Sequence, residues 1–208
     1  VRDKDKDRGI EIPSEILTTN YDDILNDDDI KIVVEVMGGI DPAKEYIIRA
    51  MEAKKQIVTA NKMLLATCGD EVFEKADEMG VSFQYEASVA GGIPIINGIN
   101  ESLTANKINT LYGIVNGTTN YILSKMELEN LNFEDVLKEA QDKGYAEADP
   151  TSDIEGYDAQ YKLVILSSLA FGTKIKPENV YREGITKINS IDMEYASSFG
   201  MVIKLLAI

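Results

Sequence analysis

An acidic loop followed by an apolar helix holds the residues of this sequence that are best suited to chemistry. The loop covers residues 144–156, and a helix is predicted over 157–171, where nearly every face is apolar. A helix of that kind is normally buried. Asp158 and Lys162 lie on it four residues apart, so both side chains project from one face. Burying a carboxylate and an ammonium costs desolvation energy, and a ligand-binding site is one reason to keep them there.

Two simpler interpretations of these residues compete with a ligand site. A carboxylate and a lysine four residues apart most often form a surface ion pair worth only a few tenths of a kcal/mol. Spaced acids followed by glycine also resemble a calcium-binding EF-hand loop. Pro150 interrupts the acidic run and the ligand spacing of an EF-hand is not met, which excludes the calcium loop. The surface ion pair stays open as an alternative.

The side chains available for catalysis are restricted by composition. The 208 residues contain no histidine and a single cysteine, Cys68. Within these residues a Ser-His or Cys-His nucleophile pair and a histidine-based zinc site are therefore excluded. Lysine, tyrosine, aspartate or glutamate must carry any proton transfer.

The charge of the chain argues against two classes of partner. The formal net charge is −15, whereas nucleic acids and anionic membranes both require basic patches. No apolar run approaches the length needed to span a bilayer. A single cysteine cannot form an internal disulfide, which fits a reducing compartment, so we expect a cytoplasmic protein.

The first part of the chain alternates strands and helices. Strands are predicted over 31–36, 56–59 and 81–85, and helices over 42–54 and from about 68 to 79. Asp41 is expected to cap the first of these helices, with Pro42 at its first position. Such alternation predicts a parallel sheet, in which ligands lie beyond the carboxyl ends of the strands. Met37-Gly38-Gly39 and Asn61-Lys62 follow two of those ends.

The composition changes at residues 86–94, where we place a domain boundary, giving domains 1–85 and 86–208. Thr118 or Thr119 is expected to cap a helix in the second domain. Further helices are predicted over 94–105, 118–129, 133–143 and 192–199, and strands over 108–115, 184–186 and 201–208. This pattern indicates an α+β arrangement, and the chain as a whole is of the α/β class.

Two motifs resemble those of the homoserine dehydrogenases. Residues 144–162 read G-Y-x-E-x-D-P-x-x-D-x-x-G-x-D-x-x-x-K, and residues 113–123 read G-I-x-N-G-T-T-N-x-I-L. The resemblance extends over essentially the whole chain. It implies an incomplete Rossmann-type sheet followed by a substrate-binding and dimerisation domain. It also implies NAD(P)-dependent interconversion of L-homoserine and L-aspartate 4-semialdehyde, a step of threonine and methionine biosynthesis.

The resemblance assigns roles to individual residues. Lys162 matches the family's proton donor, and Lys62 matches its second active-site lysine; a surface lysine is the alternative for Lys62. Glu147 and Asp158, supported by Asp153, are implied to bind the substrate amino group. For the remaining acids of this region we favour plain solvated side chains. These acids are Asp142, Asp149 and Glu155.

Cofactor, cation and oligomer are implied in the same way. The nicotinamide side is lined by Met37, Gly38, Lys62 and Gly144, and an arginine after a strand, Arg2, suits the 2′-phosphate of NADP, although NAD remains open. The loop after residue 85 resembles the family's site for a monovalent cation such as sodium. Its ligands would be the main-chain oxygens of Glu86, Val89, Gly91 and Ile93. The family also implies a homodimer.

One family element does not occur in these residues, namely the G-x-G-x-x-G phosphate-binding loop. We therefore expect the sequence to be an internal portion of the enzyme that binds NAD(P) poorly and is inactive by itself. Two alternatives remain open. One is a non-catalytic dimerisation or ligand-binding fragment, and the other is an enzyme that uses Lys162 as a Schiff-base nucleophile.

Overall fold

The computed structural model describes residues 3–208 and divides them into two compact units. One unit comprises the described residues up to Leu64 together with Cys68–Tyr85, and the other comprises Leu65–Thr67 and Glu86–Ile208. The cofactor role predicted for Arg2 falls on a residue outside the described range. No helix of the described residues is long and apolar enough to cross a membrane.

The first unit is built on a parallel sheet of three strands, β1 Ile32–Glu35, β2 Gln56–Thr59 and β3 Phe83–Gln84, in the order β1-β2-β3. Its register aligns Glu35 with Thr59 at the carboxyl ends of β1 and β2. The α/β class predicted from the sequence is confirmed. The elements are a 3₁₀ turn Ser14–Ile16, α1 Asp22–Leu25, β1 Ile32–Glu35, α2 Ala43–Glu52, β2 Gln56–Thr59, α3 Lys62–Met79 and β3 Phe83–Gln84.

A compact apolar core joins the helices to the sheet in this unit. Its fully buried side chains include Ile47 and Met51 of α2, Ile57 of β2, and Leu64 and Val72 of α3. The helical period of α2 and the alternating burial along β2 place these residues on the faces that meet.

Two predicted helix starts are wrong in this unit. Asp41 does not cap the helix: α2 begins at Ala43, Pro42 occupies the N-cap position, and no side chain makes a capping bond there. The next helix starts at Lys62, six residues earlier than predicted from Cys68. Asn61 caps it by accepting from the N–H of Leu64 at 3.1 Å.

The second unit is mainly helical. Its core is formed by α5 (Gly117–Glu129), α6 (Phe133–Asp142) and α9 (Ser190–Ser198) with the segment around Ile185. It includes the side chains of Ile122, Leu123, Met126 and Val136. The helix predicted over 157–171 is confirmed with those bounds. The elements are a 3₁₀ turn Glu86–Ser88, α4 Ile95–Asn97 with a π-helical continuation Gly98–Ser102, α5 Gly117–Glu129, α6 Phe133–Asp142, α7 Thr151–Ile154, α8 Tyr157–Phe171, a 3₁₀ turn Pro177–Asn179 and α9 Ser190–Ser198.

The three strands predicted in the second unit are wrong as regular strands. Among the described residues of this unit, strand-like pairing consists of one antiparallel bridge between Gly113 and Ala207. The apolar side chains beside the bridge, such as Tyr112 and Ile208, are exposed. An apolar alternating pattern becomes a strand only where a neighbouring strand supplies a ladder, and here the ladder is one residue long.

Candidate active site

Asp158 and Lys162 form a largely buried ion pair on α8. Gly156, at φ 80°, turns the chain into the helix, so that Asp158 lies in the first turn and Lys162 one turn later. The Lys162 Nζ donates to Asp158 Oδ2 at 2.6 Å, and the exposed fractions of the two side chains are 17% and 6%. The alternative of a solvent-exposed surface pair is therefore wrong. A carboxylate at this position is also favoured by the dipole at the start of the helix.

Lys162 has a second acceptor outside its own helix. Its Nζ also donates to the main-chain oxygen of Val115 at 2.8 Å. An ammonium has three N–H groups, and within the described residues two of them are used by Val115 and Asp158. One N–H remains for an oxygen atom of a ligand.

Asn116 connects Asp158 to Asp153. The Asn116 Nδ2 donates to Asp153 Oδ1 at 2.6 Å and to Asp158 Oδ2 at 2.8 Å. The predicted acids Asp153 and Asp158 are thus brought together, and Asn116 itself is buried. The result is a compact group of two carboxylates and one ammonium held by an uncharged amide.

The same asparagine caps α5. Its Oδ1 accepts from the N–H of Thr119 at 2.8 Å and from Thr119 Oγ1 at 2.8 Å. The prediction that Thr118 or Thr119 caps this helix is therefore wrong. Asn116 has the extended backbone typical of an N-cap residue, whereas Thr119 is already inside the first turn and Thr118 donates elsewhere.

Glu147 lies outside this group of hydrogen bonds. Its side chain is exposed and forms no hydrogen bond or ion pair with any described residue. Its main-chain oxygen accepts from Gln141 Nε2 at 3.1 Å. The structure therefore brings Asp153, Asp158 and Lys162 together and leaves the Glu147 carboxylate separate.

The turn that precedes Glu147 is fixed by main-chain bonds. Gly144, at φ 72°, ends α6 in the left-handed conformation that favours glycine. Its N–H donates to Gln141 at 2.9 Å, and the N–H of Tyr145 donates to Ala140 at 2.8 Å. Thr118 Oγ1 of α5 donates to the Tyr145 oxygen at 2.7 Å. The predicted cofactor residue Gly144 thus has a clear structural role as a helix terminator.

The corner between α7 and α8 is held by the segment 182–186. The Ile185 N–H donates to the Ile154 oxygen at 2.8 Å, and the Arg182 guanidinium stacks on the Tyr157 ring at 3.6 Å. Glu155, expected to be a plain solvated acid, is instead half-buried and accepts from Thr186 Oγ1 at 3.2 Å. This corner carries Asp153 on one side and Asp158 on the other.

In the first unit, a buried carboxylate organises the loop after β1. Glu35, 4% exposed, accepts through Oε1 from the N–H of Met37 at 2.7 Å and of Gly38 at 3.3 Å. Its Oε2 accepts from Thr59 Oγ1 at 2.7 Å. Gly38 and Gly39 are both left-handed, and no atom of residues 3–208 lies within 4 Å of where a Cβ would stand. The main chain of this turn is therefore open to close approach by a ligand.

Asn61 joins the same loop to the start of α3. Its Nδ2 donates to the Gly39 oxygen at 2.6 Å, and its N–H donates to Thr59 Oγ1 at 3.0 Å. Lys62, the predicted second active-site lysine, is the first residue of α3 and is half-buried. The predicted residues Met37, Gly38 and Lys62 thus lie at the carboxyl edge of the sheet.

The predicted cation loop begins with a side-chain cap. Glu86 accepts from the N–H groups of Ile96 at 3.0 Å and Asn97 at 2.8 Å, which commits its carboxylate to the start of α4. The Ile93 oxygen accepts from Ile95 N–H at 2.8 Å. No group of three or more cysteine, aspartate and glutamate side chains suited to a metal occurs among residues 3–208. Main-chain oxygens, including those of Val89 and Gly91, are the donors that remain in this loop.

Some residues of these networks were not singled out from the sequence. The sequence marks Asn116 only as part of a motif, and Glu35 and Thr59 only as strand residues. The available signal for Asn116 was its position three residues before Thr119, which is the spacing of an N-cap. Glu35 interrupts an apolar strand with a charge, which is the only sign in the sequence of its buried role.

Known proteins similar to this chain match it over its full length. The profile described as homoserine dehydrogenase matches residues 94–208, and the profile described as homoserine dehydrogenase, NAD binding domain, matches residues 1–86. A homoserine dehydrogenase from Synechocystis is 51% identical over 208 residues, covering 100% of this chain and 48% of that protein. One from Bacillus subtilis is 46% identical with the same coverage. The chain thus spans about half the length of the curated relatives that it matches.

Solved structures give a consistent result. The crystal structure of a homoserine dehydrogenase from Thiobacillus denitrificans has a TM-score of 0.88 and 53% identity, covering 91% of this chain and 44% of that one. A hyperthermophilic archaeal homoserine dehydrogenase in complex with NADPH has a TM-score of 0.73 and 30% identity, covering 83% and 53% of the two chains.

Proposed function

The chain belongs to the homoserine dehydrogenase family, and we propose that the whole protein interconverts L-homoserine and L-aspartate 4-semialdehyde with a nicotinamide cofactor. This reaction serves threonine and methionine biosynthesis in the family. The cytoplasm is the compartment that suits such a role.

The observation that carries the proposal is the environment of Lys162. Reduction of the aldehyde requires a hydride on carbon and a proton on oxygen. Lys162 is anchored by Val115 and Asp158, retains one N–H, and is partly accessible. A fixed ammonium with one free donor can polarise the carbonyl oxygen and then protonate it. In the reverse direction the resulting amine accepts the hydroxyl proton.

The substrate amino group is proposed to bind on the acidic side of the same cluster. Asp153 and Asp158 supply two carboxylates, which an ammonium of the substrate can meet with charge-assisted hydrogen bonds. The exposed carboxylate of Glu147 is proposed to join Asp153 and Asp158 when substrate is present. Gln141 and Thr118 hold the main chain of its loop in place.

The cofactor is proposed to bind at the carboxyl edge of the sheet in the first unit. The open main chain at Gly38 fits the close approach that a flat ring requires, and Met37 and Lys62 lie at the same edge. Arg2 completes the proposed set in this part of the chain. When bound, the nicotinamide supplies the hydride; the residues of this chain orient the ring and keep the proton donor in place. NADP is proposed over NAD because of Arg2.

A monovalent cation and a homodimer complete the proposal. Carbonyl oxygens suit a hard cation such as sodium, and the main-chain oxygens of Glu86, Val89, Gly91 and Ile93 are the proposed ligands. Replacing sodium with a bulky organic cation is expected to lower activity if the site is occupied. Light scattering of the whole protein at micromolar concentration is expected to give twice the mass of one chain.

The proposed activity is tested by assaying the whole protein. We expect NADP reduction that depends on L-homoserine, and NADPH oxidation that depends on L-aspartate 4-semialdehyde. Absence of both, in a folded preparation, contradicts the proposed function. Borohydride treatment in the presence of the aldehyde separates this mechanism from a Schiff base: a covalent adduct at Lys162 supports the Schiff-base enzyme, and no adduct supports proton donation.

A further inference from the structure

Asn116 performs two tasks with two different atoms. Its Oδ1 caps α5 through Thr119, and its Nδ2 donates one hydrogen to each of Asp153 and Asp158. The cap is a local feature that serine or aspartate provides equally well. The bridge between two carboxylates requires an uncharged –NH₂ group, which among the cap-forming residues only asparagine supplies.

We propose that Asn116 is a positioning residue, which sets the geometry of the Asp158–Lys162 pair and of Asp153 for the reaction. This inference rests on the proposed function. It assigns the residue no contact with substrate; its effect reaches the reacting atoms through Asp158 and Lys162.

Three hydrogen bonds connect the dipeptide Val115-Asn116 with the Asp158–Lys162 pair and the two members of the pair with each other. Asp158 Oδ2 receives both the Asn116 amide at 2.8 Å and the Lys162 ammonium at 2.6 Å. The neighbouring main-chain oxygen of Val115 holds the same ammonium at 2.8 Å. The dipeptide Val115-Asn116 therefore fixes both members of the ion pair, and the cap onto Thr119 fixes the dipeptide to α5.

The Asn116 amide, being uncharged, leaves the net charge of the site to the two carboxylates and the ammonium. Two carboxylates and one ammonium leave one net negative charge, which favours a substrate that carries an ammonium group. Asn116 holds Asp153 and Asp158 side by side without adding a charge of its own. A carboxylate in its place would face both acids at hydrogen-bond distance and repel them.

Two substitutions separate the bridge from the cap. Asn116→Ser and Asn116→Asp both keep an N-cap oxygen, and both remove the –NH₂ donor. Only Asn116→Asp adds a charge. Asn132 is the matched control, because it caps α6 through Asp135 N–H at 2.9 Å and donates from Nδ2 to Asp135 Oδ2 at 2.7 Å on the exposed surface. Asn132→Ser and Asn132→Asp repeat the same chemical changes away from the site.

The assay measures kcat and KM for homoserine oxidation by the whole protein, together with its melting temperature. We expect kcat to fall about 10- to 100-fold in both Asn116 variants, because displacing a catalytic group by about 1 Å can lower the rate by about 100-fold. Both Asn132 variants should keep wild-type kcat. Asn116→Ser should lower the melting temperature more than Asn132→Ser does, because Asn116 is buried and Asn132 is exposed, so kcat is compared at a temperature at which all variants are folded.

The pH dependence distinguishes positioning from a general packing defect. In Asn116→Asp the new side chain faces Asp153, Asp158 and Lys162, and when protonated its O–H can again donate to one carboxylate. Its activity relative to wild type should therefore rise as the pH is lowered from 8 to 6. The ratio for Asn116→Ser should stay flat over the same range, because serine has no group that titrates there.

The outcomes separate this inference from the proposed function. If wild-type protein oxidises homoserine and Asn116→Ser retains kcat within about twofold, the positioning role is overturned and the proposed function stands. If folded wild-type protein has no homoserine-dependent activity, the proposed function and this inference both fail. Loss of kcat in the Asn116 variants with intact Asn132 variants supports the inference.

Discussion

Glu35 and Thr59, from neighbouring parallel strands, share a 2.7 Å hydrogen bond at the carboxyl edge of the sheet. The Glu35 carboxylate also receives the N–H groups of Met37 and Gly38. The Thr59 hydroxyl and the N–H groups of Met37 and Gly38 all donate to this one buried carboxylate. The main chain of the turn at Met37–Gly39 is therefore fixed before any ligand binds.

Glu35→Gln tests the role of that carboxylate. Glutamine replaces one acceptor oxygen by an –NH₂ group, so at least one donor loses its partner in a buried position. We expect the free energy of unfolding to fall by about 1–3 kcal/mol, measured by urea denaturation. We also expect the Kd for NADPH, measured by isothermal titration of the whole protein, to rise because the turn is displaced.

The control for this substitution is Glu45→Gln on α2. Glu45 pairs with Arg49 at 3.5 Å on the surface, and exposed pairs of this kind contribute about 0–1 kcal/mol. Equal effects of the two substitutions on NADPH binding would show that the buried carboxylate has no special role in the loop.

Gly184 is the second test position, because its backbone leaves no room for a side chain. A Cβ there would lie 2.5 Å from the Ile154 oxygen and 2.8 Å from the Glu155 Cα, both main-chain atoms. Gly184→Ala should cost about 1–3 kcal/mol of stability through this overlap. It should also lower kcat, because the displaced corner carries Asp153 and Asp158.

Gly98→Ala provides the comparison in the same unit. Gly98 has a helical φ of −56°, and no atom of the part of the chain that the structure describes lies within 4 Å of its added Cβ. Alanine there should leave stability unchanged or raise it by up to about 1 kcal/mol, because alanine is the better helix former. A Gly184→Ala protein as stable as Gly98→Ala would refute the proposed close packing at the corner.

The lowered pKa of Glu139 predicts that the stability of the protein depends on pH. Hydrogen bonds from Lys125, Lys143 and Tyr121 lower the pKa of Glu139 from 4.5 to about 2. A carboxyl whose pKa is depressed by folding stabilises the native state above its unfolded pKa, and that contribution is lost as the pH falls toward the folded value. The stability difference between wild type and Glu139→Gln should therefore be present at pH 6 and shrink between pH 4.5 and 2.

Urea denaturation at pH 6 and at pH 3 measures this difference. Glu194→Gln, a substitution of an exposed acid on α9, should follow wild type at both values. The assignment fails if the gap between wild type and Glu139→Gln is the same at pH 3 as at pH 6.

Local patterns in the sequence were sufficient for several elements. The bounds of α8 and β2 agree with the prediction from the sequence. For α8, a long apolar segment that ends at Gly172 leaves few choices. The spacing of Asp158 and Lys162 on one helix face also follows directly from helix geometry.

Contacts between distant residues could not be predicted in this way. Asn116 meets Asp153 and Asp158 across 37 and 42 residues, and nothing local signals such a bridge. The segment Asn116–Asn120 offers several residues able to cap a helix, so the true cap was ambiguous. The segment 201–208 has the apolar composition of a strand, but pairing depends on a neighbour that the pattern itself does not identify.

The rate of hydride transfer in a single turnover tests the role of Lys162 most directly. Whole protein saturated with NADP and L-homoserine would be followed by NADPH absorbance, for wild type and for Lys162→Met, which keeps much of the side-chain volume without the ammonium. We predict a fall in the transfer rate of about 10²- to 10⁴-fold, with the Kd for homoserine changed only slightly. A transfer rate within a few fold of wild type would contradict the assignment of Lys162 as the proton donor.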